Sequence, residues 1–217
     1  MSNYKKIVAE LSLTHTSLVA VTKTRTTKDI MELYQQGQRV MGENRVQELL
    51  SKHTQLPPDI EWHLIGHLQT NKIKEVVGIA SVIHSVDSWR VLLEIIKHAQ
   101  KKHAPTQVLL QYKIAAEATK HGLSFEESDV LLQQYFKEKN DYVKIVGVMG
   151  MATNTDDVQQ VELEFLSLAQ HFKWLKSTFF KDEISFKHLS MGMSDDYRIA
   201  VACGSTMVRI GSLLFIN

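Results

Sequence analysis

Cysteine and proline are scarce in this sequence. Cys203 is the single cysteine among 217 residues, which excludes an intramolecular disulfide framework and is typical of a protein in the reducing cytoplasm. The prolines, Pro57, Pro58 and Pro105, all fall between predicted secondary-structure elements, and no low-complexity linker interrupts the chain. The sequence therefore predicts a cytoplasmic protein in which residues 1–217 form one domain.

Excess charge and long apolar runs are also lacking. The 25 basic and 24 acidic side chains leave a net charge of +1, and the basic residues form no stripe, so we expect no nucleic-acid or anionic-membrane partner. No segment approaches the roughly 18 consecutive apolar residues of a membrane span. The first residues, MSNYKKIVAEL, lack the apolar core of a secretory signal. These absences predict a soluble protein.

Short apolar runs alternate with longer amphipathic runs from one end of the sequence to the other. Several of the short runs, such as LVAV and QVLLQY, are almost continuously apolar, which is typical of parallel strands covered on both faces. The predicted strands are Leu18–Thr22, Arg39–Gly42, Glu61–Ile65, Val82–Val86, Gln107–Tyr112, Lys144–Met149, Phe186–Met191 and Met207–Ile210.

Helices are predicted between these strands. They cover Thr27–Gln36, Asn44–Lys52, a run from Ser88 to about Lys102, a run that begins at Ser124, and a run from Thr155 to about Thr178. This alternation is compatible with an open doubly wound sheet or with a closed barrel, and eight units favour closure. We therefore expect an α/β fold of the (β/α)8 TIM-barrel type, with its chemistry at the carboxyl ends of the strands.

Lys23 directly follows the predicted strand Leu18–Thr22, so its amine should project into the barrel mouth. Partial removal from water there would lower the pKa of the amine and free it to form an imine with an aldehyde. An ordinary lysine paired with a nearby carboxylate explains the same position. Lys120, in the loop Thr119–Gly122, is a rival amine that we expect to be exposed.

The C-terminal run LSMGMSDDYRIAVACGSTMVRIGSLLF contains two candidate anion-binding segments. Ser194 is predicted to cap a helix after the seventh strand, where free backbone N–H groups would face an anion. Gly211 and Ser212 follow the last strand, and a glycine lets the backbone approach a ligand closely. Barrels often bind phosphate in these two loops, although ordinary capping and an exposed strand end explain the residues equally well.

Arg209 alternates with Val208 and Ile210 on the last predicted strand, so its guanidinium should point to the opposite face, into the barrel. A buried arginine keeps its charge and needs an acceptor. A pyridine nitrogen or a carboxylate of a ligand would serve, and so would a carboxylate of the protein.

The remaining candidates for chemistry are weaker. His63 and His67 have the i, i+4 spacing of a helical zinc pair, but they straddle a strand end and a turn, so no metal site is predicted. Cys203 lies in a small apolar run, which favours a buried residue over a nucleophile.

Seven segments of the sequence, taken in order, resemble the pyridoxal phosphate homeostasis protein family. They are VAVTKTRT, GENRVQEL, EWHLIGHLQTNKIK, IHSVDS, TKHG, VGVMGMAT and LSMGMSDDYRIAVACGSTMVRIG. The resemblance covers essentially the whole chain, and the last segment is the most specific. It implies a single-domain barrel similar to that of bacterial alanine racemase, with pyridoxal 5′-phosphate (PLP) as its cofactor.

The resemblance also implies roles for individual residues. Lys23 matches the lysine that forms the internal aldimine with PLP, Asn44 matches a residue of the pocket, and Arg209 matches the arginine that faces the pyridine nitrogen. The matched phosphate-binding positions are Ser194, Gly211 and Ser212. The family usually reads Ser-Lys-Thr-Lys-Pro around its lysine, whereas this chain has no proline in Thr22–Thr26. That departure bears on the rigidity of the loop and not on imine chemistry.

Three functions are compatible with these residues. The resemblance implies a PLP-binding protein that buffers or carries the cofactor without robust catalysis, with PLP-dependent apo-enzymes as candidate recipients. The alternatives are a PLP-dependent enzyme similar to an amino-acid racemase, and an unrelated barrel enzyme for a phosphate ligand in which Lys23 is an acid–base group.

Arg209 favours the first function over the second. Carbanion chemistry on PLP is strongest when an acidic partner keeps the pyridine nitrogen protonated, and an arginine beside that nitrogen would hold it neutral. The racemases that this barrel resembles tolerate such an arginine, but they add a tyrosine base through a second domain and a dimer. None of the six tyrosines here lies in a motif that matches that base. We therefore expect a monomeric, non-enzymatic PLP-binding protein.

Overall fold

Eight parallel strands form a closed barrel in the computed structural model, which describes residues 2–117 and 120–215. The strands are β1 Ser17–Val21, β2 Val40–Glu43, β3 Glu61–Leu64, β4 Val82–Val86, β5 Thr106–Tyr112, β6 Val143–Gly150, β7 His188–Ser190 and β8 Met207–Ile210. Each strand pairs with the next along the chain, and β8 closes on β1 with Val19 opposite Arg209. The predicted (β/α)8 class is confirmed.

Helices surround the barrel. They are α1 Asn3–Ser12, α2 Thr27–Gln35, α3 Val46–His53, α4 Ile73–Val76, α5 Trp89–Lys102, α6 Phe125–Lys137, α7 Val158–Thr178 and α8 Tyr197–Ala202. We did not predict α1 from the sequence. Ser2 caps it by accepting the N–H of Lys5, and its residues Tyr4, Ile7 and Leu11 are buried at helical spacing, so α1 is an amphipathic helix packed against the barrel.

The apolar core has two parts. The larger part lies between the strands and the helices and includes Trp62, Phe165 and Phe186, each at most 1% exposed. Burial of such a side chain contributes about 1.5–3 kcal/mol. The smaller part lies inside the barrel and consists of Val82, Leu109, Val146 and Met149. Buried polar side chains, among them His84 and Arg209, share the interior with it.

The ends of several elements differ from the prediction by one or two residues. α3 begins at Val46 and not at Asn44, because Arg45 is still extended, with φ −117° and ψ 133°. β7 is shorter than predicted, and its pairing with β8 is limited to the register position Ser190–Met207. Within residues 2–117 and 120–215, no helix is both long and apolar enough to cross a bilayer.

Candidate ligand pocket at the barrel mouth

A cavity of about 560 Å³ opens at the carboxyl ends of the strands, a size typical of small-molecule sites. Its wall contains all of the residues that the sequence singles out for binding, namely Lys23, Asn44, Ser194, Arg209, Gly211 and Ser212. They follow or end β1, β2, β7 and β8. Closure of the barrel between β1 and β8 is what brings the first and last of them together.

Lys23 stands in this wall with its amine unpaired. The prediction of a partly desolvated lysine is wrong, because β1 ends at Val21 and Lys23 lies in the loop beyond it, where it is exposed. The alternative of a lysine paired with a carboxylate is not observed either. Within the described part of the chain, the Nζ atom of Lys23 has no hydrogen-bond or ion-pair partner.

Buried charges on β2 and α3 hold the backbone next to Lys23. The Lys52 ammonium donates to the Thr22 carbonyl at 2.8 Å and to Oε1 of Glu43 at 2.6 Å. The Thr22 hydroxyl donates to the same carboxylate oxygen at 2.5 Å. Burial raises the pKa of Glu43, and the hydrogen bonds from Lys52 and Thr22 oppose that rise. The residue before Lys23 is therefore fixed through both its side chain and its carbonyl.

The residue after Lys23 is held in an uncommon conformation. Thr24 has a φ of 61°, which is rare for a β-branched residue. Its N–H donates to Oε2 of Glu48 at 3.0 Å, and Glu48 also accepts a hydrogen bond from Lys52. Thr26 and Asp29 then form a capping box at the start of α2. These contacts restrain the loop that lacks the proline expected by resemblance.

Ser194 does not cap a helix as we predicted. The helix α8 begins at Tyr197 with Asp196 at its N-cap position, and the Asp196 carboxylate accepts the N–H of Met193 at 2.5 Å. Ser194 instead accepts the N–H of Gly211 at 3.3 Å. Its hydroxyl therefore links the loop after β7 to the turn after β8 and keeps its own proton for a ligand.

The two candidate anion-binding segments consequently form one surface. Within residues 2–117 and 120–215, the backbone N–H groups of Ser194, Asp195 and Ser212 have no acceptor. Together with the hydroxyls of Ser194 and Ser212, they give a cluster of donors that suits a phosphate group. Ser212 contributes from the first position of a short 3-10 helix, Ser212–Leu214, and Ser194 and Asp195 contribute from the loop before α8.

Glycines allow these loops to approach one another. Gly192 turns the chain after β7 with a φ of +94°, and a Cβ there would lie 2.6 Å from the Cβ of Ala200. Gly211 was expected to make room for a ligand, but a Cβ would also lie 3.2 Å from the Val21 carbonyl oxygen. Gly66, in a polar turn after β3 whose sequence predicts a place at the barrel mouth, passes so close to Asn44 that a Cβ would lie 2.2 Å from the Asn44 carbonyl oxygen.

Arg209 points into the barrel, as its alternation with apolar neighbours predicts, and it is 4% exposed. Its Nη1 donates to the carbonyl of Ser190 at 2.8 Å and to the hydroxyl of Ser190 at 2.7 Å, and its Nη2 donates to the Gly150 carbonyl at 3.0 Å. A guanidinium has five N–H donors, so two remain for the pocket. Among the described residues, no carboxylate accepts a hydrogen bond from Arg209.

The structure adds titratable side chains to the pocket wall that the sequence left without a role. His67 and His121 stack with their ring centres 4.7 Å apart, and Nδ1 of His67 lies 3.5 Å from the Asp87 carboxylate. Lys120 was expected to be exposed, but it is partly buried, because it donates to the Ala152 carbonyl and pairs with Glu117 at 3.1 Å.

His63 is far from this wall, since it lies inside the barrel with Nδ1 2.9 Å from Nε2 of His84. His63 and His67 therefore form no pair, as the sequence predicts. One ligand atom from each of His67, Asp87 and His121 lies within 4.8 Å of the others. The absence of a bound metal stays a prediction.

Fold and pocket together define the class of the protein: an alanine-racemase-type barrel with a polar ligand pocket at its mouth. The model of the family "Alanine racemase, N-terminal domain" matches residues 1–217. The alanine racemase of Bartonella henselae is 18% identical, with a TM-score of 0.73 over 98% of this chain and 57% of that chain. At that identity the likeness shows the fold alone.

Two relatives and one solved structure are much more similar. The pyridoxal phosphate homeostasis protein of Aquifex aeolicus is 38% identical over 199 residues, which cover 91% of this chain and 85% of the relative. The protein of the same name from Synechocystis sp. is 38% identical over 219 residues, covering 99% and 96%. PipY of Synechococcus elongatus, solved with PLP bound, is 31% identical, with a TM-score of 0.86 over 99% of this chain and 100% of PipY. This chain belongs to the pyridoxal phosphate homeostasis protein family.

Proposed function

We propose that this protein binds PLP as an imine on Lys23 and serves in the cell as a buffer or carrier of the cofactor, without robust catalysis. PLP-dependent apo-enzymes are the candidate recipients. The observation that carries the proposal is the combination, in one pocket, of an unpaired amine, a cluster of phosphate-type donors and an arginine that donates to no carboxylate among the described residues.

These groups match the chemical parts of PLP. The exposed amine of Lys23 meets an aldehyde without first breaking an ion pair. The hydroxyls of Ser194 and Ser212, with the N–H groups beside them, suit the phosphate. The two remaining donors of Arg209 suit a pyridine nitrogen, which accepts a hydrogen bond when it is not protonated. When bound, PLP supplies an aldehyde that reacts reversibly with amines.

Arg209 also supports the non-enzymatic part of the proposal. An arginine only donates hydrogen bonds, so it stabilises an unprotonated pyridine nitrogen and weakens the ring as an electron sink. His67, Lys120 and His121 at the pocket wall are the groups that would move protons if the protein were a racemase-like enzyme.

The proposal is tested by the absorbance of the protein mixed with PLP, followed by borohydride reduction and peptide mapping. We expect an imine band that borohydride bleaches, with the label on Lys23. Lys23→Ala should abolish the band, whereas the matched variant Lys120→Ala should keep it. A label mainly on Lys120, or an unchanged band in Lys23→Ala, would overturn the assignment.

The protein with PLP bound also tests the proposed lack of robust catalysis. Incubation with alanine or serine in deuterated buffer, followed by NMR and chiral chromatography, should show negligible racemisation. A rate of about 1 s⁻¹ or faster, within the usual range of enzymes, would instead support the racemase alternative.

A further inference from the structure

A chain of polar side chains runs down the barrel axis beneath the pocket. From Arg209 it passes to the Ser190 hydroxyl at 2.7 Å, then to Nδ1 of His84 at 3.2 Å, and from Nε2 of His84 to Nδ1 of His63 at 2.9 Å. All four side chains are at most 4% exposed. His63 also lines a second cavity, of about 360 Å³, at the opposite end of the barrel together with Glu61, Lys187 and His188.

Arg209 and the partners of Ser190 together set the direction of the hydrogen bonds in this chain. A guanidinium has no acceptor, so the Ser190 hydroxyl accepts from Arg209. Among the described residues, Nδ1 of His84 is the one acceptor within reach of the Ser190 proton, so the hydroxyl donates to it. A neutral His84 that accepts at Nδ1 carries its proton on Nε2. That proton is then donated to Nδ1 of His63, so the proton of His63 is also on Nε2.

The charges inside the barrel are consistent with neutral histidines. Burial lowers the pKa of His63 to about 3, and burial followed by the charges of His63 and Arg209 lowers the pKa of His84 well below its ordinary value. Burial also lowers the pKa of Arg209 to about 10, so the guanidinium remains charged at neutral pH. His188 and Arg209 act on the histidines through their charges, and Glu61 and Lys187 line the second cavity beside His63.

We infer that Ser190 and His84 are positioning residues, which hold the Arg209 guanidinium in place through a one-way hydrogen-bond chain and thereby aim its two free donors into the pocket. The inference rests on the proposed function only in taking PLP as the ligand that these two donors contact. All dipoles of the chain point their negative ends toward Arg209, so the chain stabilises the buried charge alongside the more distant attraction of the Asp196 carboxylate.

Histidine nitrogen NMR of the PLP-free protein tests the chain itself. His63 and His84 should both be neutral at pH 6 and should both carry the proton on Nε2. A proton on Nδ1 of His84, or an imidazolium at either position, would overturn the inference. This result does not depend on whether PLP binds.

Matched substitutions test the positioning role. Ser190→Ala and His84→Leu each interrupt the chain, whereas Ser190→Thr retains the hydroxyl, and His84→Gln retains an acceptor for Ser190 and a donor for His63. We expect PLP to dissociate about tenfold faster or more from the two interrupting variants, since a hydrogen bond to a charged group is at stake. In Ser190→Thr and His84→Gln, the dissociation rate of PLP should stay within about threefold of the wild-type rate.

A spectroscopic readout separates positioning from a loss of stability. With PLP labelled with 15N in the ring, the wild type should show an unprotonated pyridine nitrogen, and the interrupting variants should shift toward the protonated form, because Arg209 is no longer held beside it. Identical 15N shifts in Ser190→Ala and the wild type, both folded by thermal melting, would overturn the positioning role. If the wild type forms no complex with PLP, the proposed function fails while the tautomer measurement stands.

Discussion

At the residue scale, the position and the lack of a partner make the Lys23 amine suitable for the proposed imine, and burial does not. We expected burial to make the amine reactive, but the side chain is exposed. Its suitability for imine formation comes from having no partner and from a rigid backbone on both sides, where Thr22 is bound by Lys52 and Thr24 by Glu48. In the proposed function, exposure of Lys23 also suits release of the cofactor, since another amine could reach the proposed imine.

The hydroxyl of Ser194 is a second feature that belongs to this scale. Ser194→Ala removes one of the proposed donors to the phosphate and should weaken binding of PLP about tenfold or more, because a charge-assisted hydrogen bond contributes about 1.5–3 kcal/mol. Binding of unphosphorylated pyridoxal should hardly change. Titrations of both ligands followed by absorbance measure the difference.

The control for this comparison is Ser177→Ala, which removes an exposed hydroxyl that bonds only to the Trp174 carbonyl of its own helix. It should leave both ligands unaffected. Equal losses of PLP and pyridoxal in Ser194→Ala would place the phosphate elsewhere in the pocket.

At the scale of secondary-structure elements, the ion pair of Glu43 and Lys52 joins β2, α3 and the loop after β1. The carboxylate of Glu43 is fully buried, and Oε2 of Glu43 has no hydrogen-bond partner in the part of the chain that the structure describes. Lys52 is also buried and donates to three oxygen atoms. A charge in this setting is tolerated because its partner is present.

Lys52→Met should therefore destabilise the protein by about 3–5 kcal/mol, since it leaves a buried carboxylate without its partner. Urea-induced unfolding followed by circular dichroism measures the change. The double variant Glu43→Met with Lys52→Met should be less destabilised than Lys52→Met alone, because it removes both charges.

Lys72→Met is the matched control, since Lys72 pairs with Glu75 at 3.0 Å near the surface, with both side chains about 30% exposed. We expect Lys72→Met to change the free energy of unfolding by about 0–1 kcal/mol. A similarly small effect of Lys52→Met would show that Glu43 takes up a proton at little cost when its partner is lost.

At the scale of the whole molecule, neutral histidines inside the barrel make stability depend on pH. The unfolded chain binds a proton at each histidine below about pH 6.5, whereas folded His63 does so only near pH 3. The pKa of His84 is lowered in the same direction. Between these limits the unfolded state binds more protons, so the free energy of unfolding falls as the pH falls.

The expected slope is up to about 1.4 kcal/mol per pH unit for each histidine that stays neutral. Urea-induced unfolding at pH 7, 6 and 5 measures it. His84→Gln should reduce this slope by the contribution of one histidine, because glutamine does not titrate. His15→Asn, at an exposed position, should leave the slope unchanged, and equal slopes for all three proteins would contradict the explanation.

Much of this protein was determined by the sequence alone. Continuous apolar runs in alternation with amphipathic ones specified the strands, their order and a closed barrel, because a parallel sheet needs cover on both faces. Alternation along β8 predicted the inward direction of Arg209. The positions of Lys23, Asn44, Ser194 and Ser212 at strand ends predicted that they share one pocket, since all strands of the barrel run in the same direction.

The tertiary structure alone decided how these residues work. The exposure of Lys23, the bond between Ser194 and Gly211, and the chain from Arg209 to His63 depend on contacts between segments that are distant along the sequence. Local patterns carry no information on such contacts. Periodicity predicts which face a side chain occupies, but the partner that it meets there is set only when the barrel closes.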